Sequence, residues 1–83
     1  MLTVQYFARF REELGTSREQ LPMEGFESVE CVLKHLSERG DNWARILGDG
    51  QQVQIAVNQD MARRHTPIKA GDEVAFFPPV TGG

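Results

Sequence analysis

Ser28-Val29-Glu30-Cys31-Val32-Leu33-Lys34-His35-Leu36-Ser37-Glu38-Arg39-Gly40 decides the fold of this 83-residue chain. Val29, Val32, Leu33 and Leu36 recur at i, i+3, i+4 and i+7, which puts them on one stripe of an α-helix. Ser28 stands before the stripe as an N-cap, and Glu30 lies where the helix dipole favours a negative charge. Arg39 suits the C-terminal end, and Gly40 stops the helix. The pattern predicts a helix over about 28–39 whose apolar stripe needs a surface to cover.

The flanking segments supply that surface as strands. Towards the N-terminus, Glu24-Gly25 is a turn. Residues 18–23 form a strand with Leu21 and Met23 inward, and Pro22 marks an edge or an end. Gly15-Thr16-Ser17 breaks a short helical turn over 9–14, in which Phe10 and Leu14 lie at i and i+4. Residues 2–8 alternate, with Leu2, Val4, Tyr6 and Ala8 inward and Thr3, Gln5 and Phe7 outward. Beyond Gly40, Asp41 caps a second short helix carrying Trp43, Ile46 and Leu47, and Gly48-Asp49-Gly50 is a loop. Val53, Ile55 and Val57 mark a strand, Asn58-Gln59-Asp60 a turn, and residues 61–66 a short edge strand. Ala70-Gly71-Asp72 turns the chain into a last strand with Val74 and Phe76 inward and Ala75 and Phe77 outward. One main helix among these strands predicts an α+β fold, a mixed sheet covered on one face and partly open to solvent on the other.

Composition narrows the function. A net charge of −3 leaves no positive surplus to neutralise phosphates, so no nucleic-acid partner is expected. No apolar run is long enough for a bilayer, and Met1-Leu2-Thr3-Val4 does not open a signal peptide, so no membrane is expected either. The single cysteine fits a reducing, cytoplasmic setting and excludes a four-cysteine metal site within the chain.

Few side-chain groupings suggest chemistry. Cys31 and His35 are helical neighbours at i and i+4, but on the solvated side and without an orienting carboxylate; two surface residues is the plainer reading. A zinc site from Cys31, His35 and His65 lacks a fourth ligand. Arg63-Arg64-His65 reads better as a charged edge that resists aggregation than as a docking site. Gly48-Asp49-Gly50 lacks the Lys-Ser/Thr of a phosphate loop. No metal or cofactor is expected on this chain.

The last stretch, Phe76-Phe77-Pro78-Pro79-Val80-Thr81-Gly82-Gly83, is different. Pro78 and Pro79 end the strand and favour an extended course. Gly82 and Gly83 lack Cβ atoms and could enter a channel closed to larger residues. This reading divides the chain into a body over 1–77 and a tail over 78–83, with the Gly83 α-carboxylate as the reactive group. A frayed terminus is the alternative.

The segment Gly71-Asp72-Glu73-Val74-Ala75-Phe76-Phe77-Pro78-Pro79-Val80-Thr81-Gly82-Gly83 resembles the end of the small, sulfur-carrier subunits of molybdopterin synthase. Val4-Gln5-Tyr6-Phe7-Ala8, Arg11-Glu12-Glu13-Leu14-Gly15 and Val57-Asn58-Gln59 extend the resemblance along the chain, with poorer agreement over 16–26 and 61–66.

The resemblance implies a ubiquitin-like β-grasp fold and a non-catalytic carrier. In that family the terminal glycine is adenylated with ATP by a ubiquitin-activating-like adenylyltransferase that holds the ATP and metal. A sulfur donor then converts the acyl-adenylate to a thiocarboxylate. The carrier docks on the large synthase subunit in a heterotetramer, and the sulfur passes to cyclic pyranopterin monophosphate. Carried over, Gly83 is the adenylation and thiocarboxylate site, while Val80, Thr81 and Gly82 thread into the partner.

Phe7 and Phe77, both outward by strand phase, are expected to meet at the root of the tail as a docking patch, since the first and last strands of a β-grasp are parallel neighbours. Pro78 and Pro79 continue that interface, and the resemblance adds Met61. Other readings are a thiazole-pathway sulfur carrier, a ubiquitin-like protein modifier and an interaction module with an inert tail. Phe76-Phe77-Pro78-Pro79 favours the molybdopterin branch.

Overall fold

The computed structural model describes residues 1–22, 27–48 and 51–79. In chain order the elements are β1 (Leu2–Tyr6), α1 (Arg9–Leu14), β2 (Arg18–Leu21), α2 (Val29–Ser37), α3 (Asp41–Leu47), β3 (Gln54–Val57), β4 (Asp60–Ala62) and β5 (Glu73–Phe77). The strands form one sheet in the order β2-β1-β5-β3-β4. β1 and β5 are parallel, with Val4 opposite Val74 and Tyr6 opposite Phe76. β2, β3 and β4 run antiparallel to their neighbours, which makes the sheet mixed.

Alternation along the two central strands decides which face is covered. Leu2, Val4 and Tyr6 of β1 and Val74 and Phe76 of β5 are buried, together with Ile55 of β3 and Leu21 of β2. They pack with Val29, Val32, Leu33 and Leu36 of α2 in one core, which Phe10, Ile46, Leu47 and Ile68 extend. The α2 stripe and the inward Leu2, Val4, Tyr6, Leu21, Ile55, Val74 and Phe76 read from the sequence are therefore core residues, while Val53 and Val57 are partly buried against them. Burial of each large aliphatic side chain contributes about 1.5–3 kcal/mol.

Several boundaries depart from the pattern. Ala8 is exposed, because β1 ends at Tyr6 and the chain turns at once into α1. Gly15 stops α1 with φ 74°, and its N–H donates to the Arg11 carbonyl at 3.0 Å; a glycine takes up this left-handed cap without a Cβ penalty. Ser28 is in the N-cap position with extended dihedrals, but its hydroxyl makes no capping bond. The first amides of α2 donate instead to backbone carbonyls across the fold: Val29 N–H to Thr66 at 3.0 Å and Glu30 N–H to Arg64 at 2.8 Å. Those bonds satisfy donors that a helix start leaves unpaired.

α2 ends at Ser37, three residues before Gly40, which is the N-cap of α3. Asp41 is the first residue of α3 and no side chain caps that helix. Val53 packs against the core from just outside β3. The expected strand over 61–66 is a three-residue edge, Asp60–Ala62, followed by a turn. The expected inward Met23, the Glu24-Gly25 turn and most of the Gly48-Asp49-Gly50 loop lie outside the described residues.

Candidate functional site

The face of the sheet away from α2 carries the surface of interest. Strand register sets out its rows. Arg18, Gln5, Ala75, Ala56 and Met61 lie opposite one another across all five strands. One step further along β5, Phe77 stands opposite Gln54, and Phe7 continues the β1 side by donating its N–H to the Phe76 carbonyl at 3.1 Å. Because Ala56 and Ala75 are small, the larger side chains around them enclose a hollow of about 430 Å³, lined by Gln5, Phe7, Ala56, Gln59, Glu73, Ala75 and Phe77.

The two aromatic residues meet because both face outward and β1 and β5 are parallel neighbours. The Phe7 and Phe77 ring centroids lie 6.5 Å apart with planes at 77°, an edge-to-face pair. Phe7 is 44% exposed and Met61 66%, while Phe77 is half-buried. Met61 shares the face but sits on the outer strand opposite Ala56, outside the hollow's lining. Pro78 and Pro79 follow β5 directly and are half-buried, so the chain leaves the sheet at the aromatic pair. Val80, Thr81, Gly82 and Gly83 lie outside the described residues.

Two backbone features lie at opposite ends of the hollow, Ala8 beside Phe7 and the Asn58-Gln59 turn beside Glu73. Ala8 has φ 56° and ψ −136°, and the Phe10 N–H closes the turn onto the Phe7 carbonyl at 3.2 Å. These are the dihedrals of the first corner of a type II′ turn, a position that glycine occupies freely. For alanine the conformation costs on the order of 1–3 kcal/mol. On the β3 side, Asn58 and Gln59 have φ of 52° and 72° and form the two-residue turn into β4. That is the backbone of a type I′ hairpin, which asparagine tolerates well.

Asn58 also fastens the turn to β5. Its amide Nδ2 donates to Asp72 Oδ1 at 3.0 Å, and its Oδ1 accepts from the Glu73 N–H at 3.0 Å. Asp72 Oδ2 accepts from the Lys69 N–H at 2.8 Å. The Asn58 bond, followed by the Lys69 backbone, holds the Asp72 carboxyl below its ordinary value. Asp72 was not legible as a structural residue beyond its place in a turn. Ala56 and Ala75 as the floor of the hollow were legible in principle, as two small residues at outward phase.

The other candidates do not assemble. Ser28 Oγ donates to Cys31 Sγ at 3.6 Å, and hydrogen bonding from the Glu27 backbone, then from Ser28, lowers the thiol's pKa. His65 Nδ1 lies 3.6 Å from Glu30 Oε2, so its charged neighbour is an acid on α2. No group of three or more metal-ligating side chains occurs among the described residues, and the Cys31, His35, His65 site does not form there. Arg64 donates to the Gln51 carbonyl at 3.2 Å, a tether within the fold. Among the described residues no helix is long and apolar enough to cross a membrane.

The body thus presents a hollow floored by small residues and an aromatic pair where β5 gives way to Pro78-Pro79. The sequence profile of the ThiS family matches residues 4–83. A molybdopterin synthase sulfur carrier subunit from Haemophilus influenzae is 45% identical over 83 residues, covering all of both chains. The chain belongs to the ThiS family. Two solved structures share its fold. One is assigned as subunit 1 of molybdopterin converting factor from Pyrococcus furiosus, 31% identical with a TM-score of 0.78, covering 95% of this chain and 97% of that one. The other is small archaeal modifier protein 1 from Haloferax volcanii, 26% identical with a TM-score of 0.77 over the same shares of each chain. The fold of this ThiS-family chain is the ubiquitin-like β-grasp.

Proposed function

We propose that this ThiS-family chain is the sulfur carrier of molybdenum cofactor biosynthesis. The observation that carries the reading is full-length identity of 45% with a molybdopterin synthase sulfur carrier subunit. The geometry supports it: β5 of the body, residues 1–77, runs past Phe77 straight into Pro78-Pro79 and a tail, 78–83, that ends in Gly82-Gly83.

The chemistry follows from the terminal group. A carboxylate is a poor acyl donor. Reaction of Gly83 with ATP joins it to AMP and releases pyrophosphate, which gives the acyl carbon a good leaving group. Sulfide-level sulfur released by a donor protein then attacks the acyl carbon, AMP leaves, and the product is a thiocarboxylate. The thiocarboxylate sulfur bonds to cyclic pyranopterin monophosphate in the large synthase subunit, and water then cleaves the acyl–sulfur bond, leaving the sulfur on the pterin and returning Gly83 to a carboxylate. Val80, Thr81 and Gly82 thread the tail into each enzyme, and Phe7, Met61, Phe77, Pro78 and Pro79 dock the body.

On this reading the carrier is non-catalytic alone and binds no cofactor. ATP and metal belong to the adenylyltransferase, and the working assembly is a cytoplasmic heterotetramer of two large and two small subunits. Likeness to an archaeal modifier protein supports a second reading, in which Gly83 forms isopeptide bonds.

The test is mass spectrometry of the chain after incubation with the activating enzyme, ATP and a sulfur source, followed by addition of the large subunit and the pterin precursor. Exchange of one terminal oxygen for sulfur and its transfer to the pterin are expected. A thiocarboxylate that never reaches the pterin would exclude the molybdopterin role, and lysine-linked conjugates in its place would favour the modifier.

A further inference from the structure

We propose that Arg9 and Arg45 receive a carboxylate side chain of the large synthase subunit, in a small pocket beside the root of the tail. The inference rests on the sulfur-carrier reading and adds a charged contact to the aromatic one proposed above. The pocket encloses about 210 Å³. Arg9, Glu13, Arg45 and Gln52 line it together with Phe10 and Ile46, which belong to the core. Small-molecule sites measure roughly 300–1,000 Å³, so this one suits a single side chain rather than a nucleotide or a pterin.

The charges say what enters. Arg39 shows an arginine committed to the fold, since it holds both carboxylate oxygens of Glu19. Arg9 is exposed and has no hydrogen-bond or ion-pair partner among the described residues. Arg45 donates to Asn42 Oδ1 at 3.1 Å and lies 3.9 Å from Glu13 Oε1, beyond ordinary hydrogen-bond length. Two guanidiniums therefore line one pocket with donors to spare, against a single acid. A carboxylate, which only accepts and offers two oxygens, matches that surplus.

The position says whose carboxylate it is. The Phe7 N–H donates to the Phe76 carbonyl, and Arg9 follows Phe7 by two residues. Gln54 stands opposite Phe77, and Gln52 precedes Gln54 by two. The pocket walls thus continue the chain on either side of β5, at the end of the sheet where Pro78 leaves. Only four residues follow Pro79, and they reach at most about 13–14 Å. A subunit that receives the end of so short a tail must sit against this end of the body. On the carrier reading this chain is a lasting subunit of the synthase and a passing substrate of the activating enzyme, so the specific charge pair is assigned to the large subunit.

Calorimetric titration of the large subunit with the wild-type carrier, Arg9→Gln, Arg45→Gln and Glu13→Gln tests this, alongside the melting temperature of each carrier. Each arginine variant should bind about tenfold more weakly, as for a close charge pair across an interface. Glu13→Gln should bind about threefold more tightly, because it removes the acid that competes for Arg45 and repels the incoming carboxylate. Raising the salt from about 0.1 to 1 M should weaken the wild type more than Arg9→Gln, since screening acts on the charge pair. Arg9→Gln should melt with the wild type, because the exposed Arg9 is unpaired within the described fold. A structural role for these residues would not give opposite changes in affinity at Arg45 and Glu13. Arginine variants that bind within twofold of wild type overturn the inference, and so does a Glu13→Gln carrier that melts normally but binds more weakly. Weakened binding confined to the activating enzyme overturns the choice of partner. A wild-type carrier that does not bind the large subunit at all overturns the functional reading on which the inference rests.

Discussion

Arg39 holds both carboxylate oxygens of Glu19, at 2.8 and 2.7 Å, and so ties the corner between α2 and α3 to the edge strand β2. The Tyr6 hydroxyl donates to the same carboxylate at 2.8 Å. Arg39 also lies 4.8 Å over the Trp43 ring, which meets Tyr6 edge-on at 5.6 Å. Arg39, then Tyr6, hold the Glu19 carboxyl below its ordinary value against the opposing effect of burial. Because the folded-state value is depressed, the stabilisation is complete above the unfolded value, near pH 4.3–4.5. It is lost as the pH falls through the folded value. Replacing Arg39 with alanine should lower stability by about 1 kcal/mol at neutral pH, since the pair is partly exposed and screened. The same variant should flatten the loss of stability between about pH 5 and 3. Urea unfolding of both proteins across that range checks both statements, and equal acid slopes would refute the second.

Phe76 and its neighbour Phe77 face opposite ways, and truncating them should have opposite consequences. Phe76 is fully buried in the central strand, with its ring centroid 6.3 Å from that of Tyr6. Phe76→Ala leaves a cavity between the sheet and α2 and should cost about 3–5 kcal/mol. In a domain of this size that is a large share of the total stability. Denaturant unfolding measures it directly. A loss below about 1 kcal/mol would mean that the core closes over the gap.

Phe77→Ala removes a half-buried ring on the open face, where Phe7 is its aromatic neighbour. The loss of stability should be about 1 kcal/mol, in the range of an aromatic pair. Affinity for the large subunit should fall by about tenfold or more, as for an aromatic anchor at an interface. Calorimetry against a thermal melt separates the two effects. Unchanged affinity would move the docking surface elsewhere on the chain.

Most of the fold was legible because period and burial agree along it. Val29, Val32, Leu33 and Leu36 announce α2, and the alternations through Val4, Ile55 and Val74 announce three strands and their inward sides. What escaped the pattern depends on partners distant in sequence. Ser28 has the chemistry of a cap, yet carbonyls of Arg64 and Thr66 satisfy the helix start. Arg39 suits a helix end, yet it reaches Glu19 twenty residues back. Glu19 pairs with Val4, so it lies on the covered side of β2, where Arg39 and Tyr6 meet its charge. At the site, strand phase turned Phe7 and Phe77 outward and the β-grasp resemblance made their strands neighbours, whereas the strained corner at Ala8 has no signature in residue type.

Tail length should matter as much as tail composition. With one alanine appended after Gly83, the protein should fold as before, because the addition lies beyond the body and alters none of its packing. As a carrier it should fail. On the proposed docking, the Phe7 and Phe77 pair would fix where the body seats, and the locked φ angles of Pro78 and Pro79 would leave little slack before the tail proper. One more extended residue displaces the terminal carboxyl by about 3.3–3.6 Å. Reacting atoms must approach to about 3–3.5 Å for attack, so a displacement of this size takes the acyl carbon out of register with its nucleophile. On the proposed threading, the added methyl would also meet channel walls that admit glycine. Mass spectrometry after incubation with the activating enzyme, ATP and a sulfur source should therefore show the extended protein unmodified at its terminus, while its melting temperature matches the parent. Efficient exchange of oxygen for sulfur in the extended protein, followed by normal sulfuration of the pterin precursor, would show that the tether is not metered by its length.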